Sequence, residues 1–210
     1  MSEQKLRILM ISLHGLIRGQ ELELGRDSDT GGQITYVIEL AKALGRHPDV
    51  AHIDLLTRQI EDAQVSDDYA QPQEQLADNV RILRLPFGPQ RYLRKELLWP
   101  HLDLLVDRCL HMLRSQGQLP DLIHTHYADA GYVGHLLSNL LGIPQIHTGH
   151  SLGRPKRQRM LDSGRKEQTI EKQFNMRRRI AVEEEVLAHA SLIITSTRQE
   201  IEDQYGMYHN

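Results

Sequence analysis

The sequence predicts a doubly wound α/β domain, a mostly parallel sheet with helices on both faces. Three observations lead there. Short, nearly continuous apolar runs recur along the chain, segments with helical spacing lie between them, and the two alternate from end to end. A chain of 210 residues supplies one such domain with little left over, because domains average roughly 150 residues. At this mass about 70% of the unfolded surface can be buried, so the core needs no disulfide or metal staple.

Residues 6–13 (LRILMISL) read as a central strand buried on both faces, closed by His14-Gly15. Ile34, Val37, Ile38, Ala41 and Leu44 follow with the spacing of one helix face, opened by Thr30-Gly31-Gly32 and ended near Gly45. Residues 52–56 and 80–85 are further strands, and the polar stretch 59–78 between them, lacking a helical period, reads as a surface excursion. Leu102, Leu105, Val106, Cys109, Leu110 and Leu113 define a helix within 97–113, and Pro120-Asp121 punctuates before a strand at 122–125. Residues 131–141 form a helix stopped by Gly142, and 144–148 form a strand. Residues 167–189 carry Ile170, Phe174, Ile180, Val182, Val186 and Leu187 and predict one long amphipathic helix. Residues 191–195 close as a sixth strand, with a polar helix from Arg198 onward. No repeat, low-complexity tract or linker interrupts residues 1–210, which read as a single domain.

Composition excludes several classes. Lys and Arg number 25 against 28 Asp and Glu, a net charge of -3, so no overall basic field recommends nucleic acid. With 40% hydrophobic and 25% charged residues the chain is neither disordered nor collagen-like. A lone cysteine, Cys109, excludes a disulfide framework and a Cys-based zinc cage and suits a reducing compartment. The apolar run 8–13 is too short for a signal peptide or a membrane span, so the expected location is cytoplasmic, with no membrane partner. Histidine is unusually frequent, at 12 residues, several beside glycines.

In doubly wound sheets ligands bind outside the carboxyl ends of the strands, and three segments fall there. In the first, DSDTGGQ at 27–33, paired glycines let a ligand approach the free N-H groups and partial positive charge of a helix N-terminus. The competing expectation is that Asp29 or Thr30 caps the helix. In the second, HTHYADAG at 124–131, His124 and His126 share a strand face and with Asp129 offer metal ligands, although hydrogen bonding is the favoured reading. In the third, HTGHSLGR at 147–154, a glycine turn brings His150 and Ser151 to the mouth of the sheet.

The stretch GHSLG has the spacing of a hydrolase nucleophile elbow, which should be followed by an apolar helix packed on the sheet. Arg154, Pro155, Lys156, Arg157 and Arg159 follow instead, and such a run is better suited to phosphate. Arg91, Arg94 and Lys95 precede Trp99-Pro100, and Arg177, Arg178 and Arg179 adjoin on a helix, where at most one or two can converge on a ligand. Each run alone is a solvated face. Together, Lys95, Lys156 and one of those arginines make a pocket for a phosphomonoester.

The segments LGRDSDTGGQITYVIELAKAL, HIDLLTRQI, KELLWP, HTHYADAG, TGHSLGRPK and SLIITSTRQEIEDQYG resemble, in order and across nearly the whole chain, the N-terminal half of the sucrose-phosphate synthase family. Sucrose synthase shares the DTGGQ-type loop, whereas YADAG and TGHSLGR are similar to the phosphate-accepting branch. The resemblance implies a retaining glycosyltransferase of the GT-B fold, with two Rossmann-like domains and the active site between them. This chain is then the N-terminal, acceptor-binding domain. The implied reaction moves glucose from UDP-glucose to fructose 6-phosphate, giving sucrose 6-phosphate and UDP.

By motif match, Gly32 and Gln33 lie against the ligands, and Lys95, Lys156 and Arg178 or Arg179 hold the acceptor phosphate. Tyr127 and Asp129 touch the fructose hydroxyls, and His150, the catalytic position, reaches the transferred glucose with Ser151 beside it. The leaving diphosphate helps take the acceptor proton, so no protein nucleophile, metal or cofactor is implied in this chain, and at most Mg2+ accompanies the nucleotide sugar in a complete enzyme. The family's donor-binding domain, with its Glu-x7-Glu segment, has no counterpart in these residues, and Glu183, Glu184 and Glu185 do not replace it. On that reading the chain alone transfers almost nothing, as an excised domain, a truncated product or half of a split enzyme. The alternatives are an inactive sugar-phosphate-binding module, a sucrose synthase-like fragment taking unphosphorylated fructose, and a metal-assisted or serine hydrolase.

Overall fold

The computed structural model describes residues 5–208. Its strands are β1 (Leu6–Ile11), β2 (Val50–Arg58), β3 (Gln73–Ala77), β4 (Val80–Leu85), β5 (Leu122–His126), β6 (Gln145–Thr148) and β7 (Leu192–Ile193). Its helices are α1 (Gly32–Gly45), α2 (Leu102–Gln116), α3 (Tyr127–Leu141), α4 (Gly153–Asp162), α5 (Glu167–Phe174), α6 (Met176–His189) and α7 (Arg198–Asp203). The strands form one sheet in the order β3-β4-β2-β1-β5-β6-β7, parallel throughout except for β3, which runs antiparallel along β4.

The continuous apolar run of β1 follows from burial on both faces. Ile8 and Met10 pack with Ile34, Val37, Ile38 and Ala41 of α1, while Leu9 and Ile11 pack on the opposite side with Leu102, Leu105 and Cys109 of α2 and Val133 of α3. Alternation of side chains along a strand makes that division automatic, and each fully buried Ile or Leu contributes about 1.5–3 kcal/mol. From β1 the chain turns to β2 on one side, and later to β5 on the other. The order therefore reverses between β1 and β5, and a crevice opens at their carboxyl ends.

Several elements differ from the sequence expectation. Residues 59–78 hold a 3-10 turn, Asp67–Ala70, and the strand β3, so they are not a bare excursion. The edge strand QEQLA is only half-buried and shows no apolar alternation to reveal it. The helix expected over 167–189 is two helices, because Asn175 adopts φ 48, ψ 49, a left-handed conformation that asparagine tolerates better than most residues. α2 starts at Leu102 after two 3-10 turns around Pro100 and runs to Gln116, where Gly117 (φ 65) stops it. α3 starts at Tyr127 rather than 131, β2 reaches Arg58, and β7 is only two residues long. Among the described residues no helix is long and apolar enough to cross a membrane.

Candidate functional site

The crevice between β1 and β5 is bridged by side chains. His14, just past β1, donates from Nδ1 to Asp129 Oδ2 at 2.9 Å, and Asp129 Oδ1 accepts from the Ala130 N-H at 2.7 Å. Both residues are buried. Gly15 lets the 27–33 loop pack against this turn: it sits at φ +79, and a Cβ there would collide with the Asp29 carbonyl oxygen. Tyr127, at the β5–α3 junction, has φ 77, a conformation costing about 1–3 kcal/mol for a residue with a side chain. Its ring packs edge-on to His14 at 4.5 Å and lies 4.5 Å from the Arg179 guanidinium carbon.

The glycine loop leaves the start of α1 open. Its N-cap is Gly31 with no side-chain hydrogen bond, so neither Asp29 nor Thr30 caps it, contrary to the simpler expectation. Thr30 Oγ1 accepts from the Leu16 N-H, and Asp29 accepts from the Lys95 N-H at 2.8 Å and pairs with Lys95 Nζ. Burial pushes the Asp29 carboxyl upward, but Lys95 outweighs that and holds it below the ordinary aspartate value. A Cβ at Gly31 or Gly32 would meet nothing within 4 Å, and Gln33 Nε2 reaches Ser12 Oγ at 3.4 Å. Open space beside both glycines therefore leaves room for a ligand at the positive end of the helix.

His124 and His126 do share a face, with ring centroids 4.2 Å apart. They do not form a metal centre with Asp129. His124 Nε2 bonds Thr148 Oγ1 at 3.0 Å, His126 Nδ1 bonds His150 Nε2 at 3.0 Å, and Asp129 is held by His14. Burial lowers His124 and His150 to about 4 and His147 to about 3, and pushes His126 well below its ordinary value, so all four are neutral near pH 7. His126 Nε2 is buried without a hydrogen-bond partner among the described residues. An orphaned acceptor costs less than an orphaned N-H, which favours His126 donating from Nδ1 to His150 Nε2. His150 then carries its proton on Nδ1, as a donor suited to a sugar hydroxyl. Tyr36 stands edge-on to His150 at 5.1 Å.

The hydrolase elbow is not reproduced. The left-handed residue is His150 (φ 58) rather than Ser151, and the His150 ring is engaged with His126. The Ser151 N-H donates to Gly149 O, and the Ser151 carbonyl accepts from Arg179 Nη2 at 2.5 Å. A helix does follow, α4, but it is the basic segment GRPKRQRMLD.

Three of the expected cations share one electrostatic neighbourhood. Arg179 is buried with Glu183 (Nε to Oε1, 2.8 Å), and Glu183 also accepts from the Gly153 N-H at 2.7 Å and from the Tyr208 hydroxyl. Burial alone would lower the Arg179 guanidinium, and Glu183 more than restores it. Lys156 Nζ lies 4.8 Å from the Phe174 ring and has no carboxylate ion pair among the described residues. Burial, then the positive charges of Arg179 and Lys95, lowers Lys156 to about 8. Arg178 instead lies against the Trp99 ring at 5.4 Å, and Arg177 faces Glu167 at 3.9 Å. Lys156 thus feels the charges of Arg179 and Lys95, which have their own carboxylates in Glu183 and Asp29, whereas Arg178 and Arg177 face Trp99 and Glu167. A separate cleft of about 640 Å3, bordered by Thr148, His150, Arg159, Ser196, Glu200 and Met207, does not include those three cations, and His150 is its one member with the expected chemistry.

His14 and Glu183 were not singled out by sequence reasoning. The signal for His14 was a His-Gly pair directly after the first strand, and for Glu183 its four-residue spacing from Arg179 on one helix.

The family described as sucrose synthase first GT-B domain matches residues 3–210. A probable sucrose-phosphate synthase 2 of Arabidopsis thaliana is 46% identical over 232 residues, covering 98% of this chain and 22% of that protein. The sucrose-phosphate synthase of Spinacia oleracea is 43% identical over 235 residues, covering 99% and 22%. The chain therefore spans about a fifth of the length of these relatives. Among solved structures, a sucrose-phosphate synthase from Thermosynechococcus elongatus superposes with a TM-score of 0.75 at 28% identity, covering 97% of this chain and 45% of that one.

Proposed function

Because this chain belongs to the sucrose synthase GT-B family as its first domain, we propose that it binds a phosphorylated ketohexose, fructose 6-phosphate, as acceptor in sucrose 6-phosphate synthesis. The observation that carries this reading is Lys156, a half-buried amine whose proton is loosened by burial and by Arg179 and Lys95. Lys95 and Arg179 already face Asp29 and Glu183, whereas Lys156 has no carboxylate ion pair among the described residues, and a dianionic phosphate would supply its counter-charge. The names of the sequence relatives, sucrose-phosphate synthases, support a phosphorylated acceptor over free fructose.

In this reading Lys156, with Lys95 and Arg179 near it, sets the acceptor phosphate. The open N-terminus of α1 at Gly32 and Gln33 faces the leaving diphosphate of the donor. Tyr127 and Asp129 shape the fructose side of the crevice, Asp129 through its hold on His14. Ser151 fixes the loop through its backbone, and His150 donates from Nδ1 to a hydroxyl of the transferred glucose. Retention follows if the diphosphate oxygen takes the acceptor proton on the face it leaves, with no protein nucleophile. Arg178, held on Trp99, is left out of this group. The remaining contacts to a UDP-glucose diphosphate come from a second domain, and stabilising that charge is a large part of such catalysis. The lone, fully buried Cys109 suits work in the cytoplasm.

The test is calorimetric titration of the chain with fructose 6-phosphate and with fructose. It is paired with assays containing UDP-glucose and fructose 6-phosphate, with and without a separately expressed donor domain. Saturable binding of the phosphate ester and product only in the mixture support the reading. Equal binding of both sugars rejects it in favour of a sucrose synthase-like acceptor site, and binding without product in the mixture favours a non-catalytic module.

A further inference from the structure

We propose that a divalent transition-metal ion binds where α3 meets α6, held by His135, Glu185 and His189. The sequence reading expects no metal in this chain, and this cluster lies outside the crevice described above. Glu185 and His189 are one helical turn apart on α6, and His135 reaches them from α3, which packs along α6. Glu185 Oε1 lies 3.6 Å from His135 Nε2 and 3.4 Å from His189 Nδ1, and one donor atom from each of the three falls within 4.8 Å of the others. Donors around a tetrahedral ion with bonds of about 2.0–2.2 Å stand roughly 3.3–3.6 Å apart, so two of the three separations already match.

Two imidazoles and a carboxylate are the ligand set that zinc and its first-row neighbours take in preference to Mg2+. Glu185 and His189 are exposed, which leaves the fourth position to water. Without metal, His135 Nε2 lies 3.0 Å from Asn139 Nδ2 and His189 Nδ1 lies 2.8 Å from the Glu185 carbonyl oxygen. An ion must displace both contacts and take His189 Nδ1 without its proton, so micromolar rather than nanomolar affinity is expected.

The position gives the ion a consequence. α3 begins with Tyr127 and α6 carries Arg179 in its first turn, so a bridge further along both helices ties the two walls of the acceptor site together. Chelator-stripped protein is titrated with ZnCl2 by calorimetry, its melting midpoint is followed with and without zinc, and Co2+ is substituted to read a four-coordinate site by visible absorption. One equivalent should bind and raise the midpoint by a few degrees, reversibly with EDTA. The surface variants His189→Ala and Glu185→Gln should keep the parent's metal-free midpoint and lose at least tenfold in zinc affinity. Parent-like zinc affinity in His189→Ala, or no saturable zinc binding by the parent, would overturn the assignment.

Discussion

Replacing Lys156 with alanine should weaken fructose 6-phosphate binding far more than fructose binding. A charge-assisted contact to phosphate contributes about 1.5–3 kcal/mol, so the loss for the phosphate ester is roughly 10- to 150-fold, and for fructose close to none. The lowered basicity of Lys156, about 8 in the free protein, adds a second readout. The sugar phosphate loses its second proton near pH 6 and stays dianionic from pH 7 to 9, so across that range the lysine governs the pH dependence. Only the ammonium form grips the ester, and affinity should therefore fall as pH rises through 8. Near pH 8, where about half the amines are neutral, binding should draw roughly half a proton from solution, visible as a buffer-dependent heat. Lys156→Arg should flatten the profile, because a guanidinium stays charged throughout. Equal losses for both sugars in Lys156→Ala, or a parent profile already flat from pH 7 to 9, would refute the phosphate assignment.

Other consequences are open to simpler measurements. His124, His147 and His150 titrate at about 4, 3 and 4 when folded against about 6.5 unfolded, so the unfolded chain binds more protons between those values. Stability present above pH 6.5 should therefore be lost as pH falls toward 4, by several kcal/mol in urea denaturation, and a midpoint unchanged from pH 7 to 5 would contradict the buried cluster. Asp29→Asn leaves Lys95 without its buried partner and should cost about 3 kcal/mol, whereas a loss well under 1 kcal/mol would mean the pair is effectively solvated. Gly32→Ala should leave the melting temperature unchanged or slightly higher, since open space awaits the methyl group, yet reduce UDP-glucose use in the reconstituted assay at least tenfold. Undiminished turnover would mean that no ligand approaches that backbone.

What the sequence discloses depends on whether a local pattern carries the signal. β1, α1, α2 and β5 are legible because burial writes itself as a continuous run or a helical stripe. β3 is not, since a half-exposed edge needs no apolar alternation, and the break at Asn175 is not, since a single left-handed residue leaves the amphipathic pattern on either side intact. In the site, the residue types at the strand ends are visible as motifs, but their pairings are long-range. Nothing in DSDTGGQ announces that Asp29 answers Lys95 rather than capping the next helix, and nothing near His14 announces Asp129. Three consecutive arginines cannot be ranked from spacing alone, because that choice depends on where Glu183, Trp99 and Glu167 come to rest.

The bend at Asn175 reaches further than its own turn of backbone. By ending α5 there, it sets the phenyl group of Phe174 beside the amine of Lys156, where the aromatic surface excludes water. A left-handed residue between two helices thus fixes which ring stands over an amine on a third, and a residue at 175 that resists that backbone should be felt at Lys156.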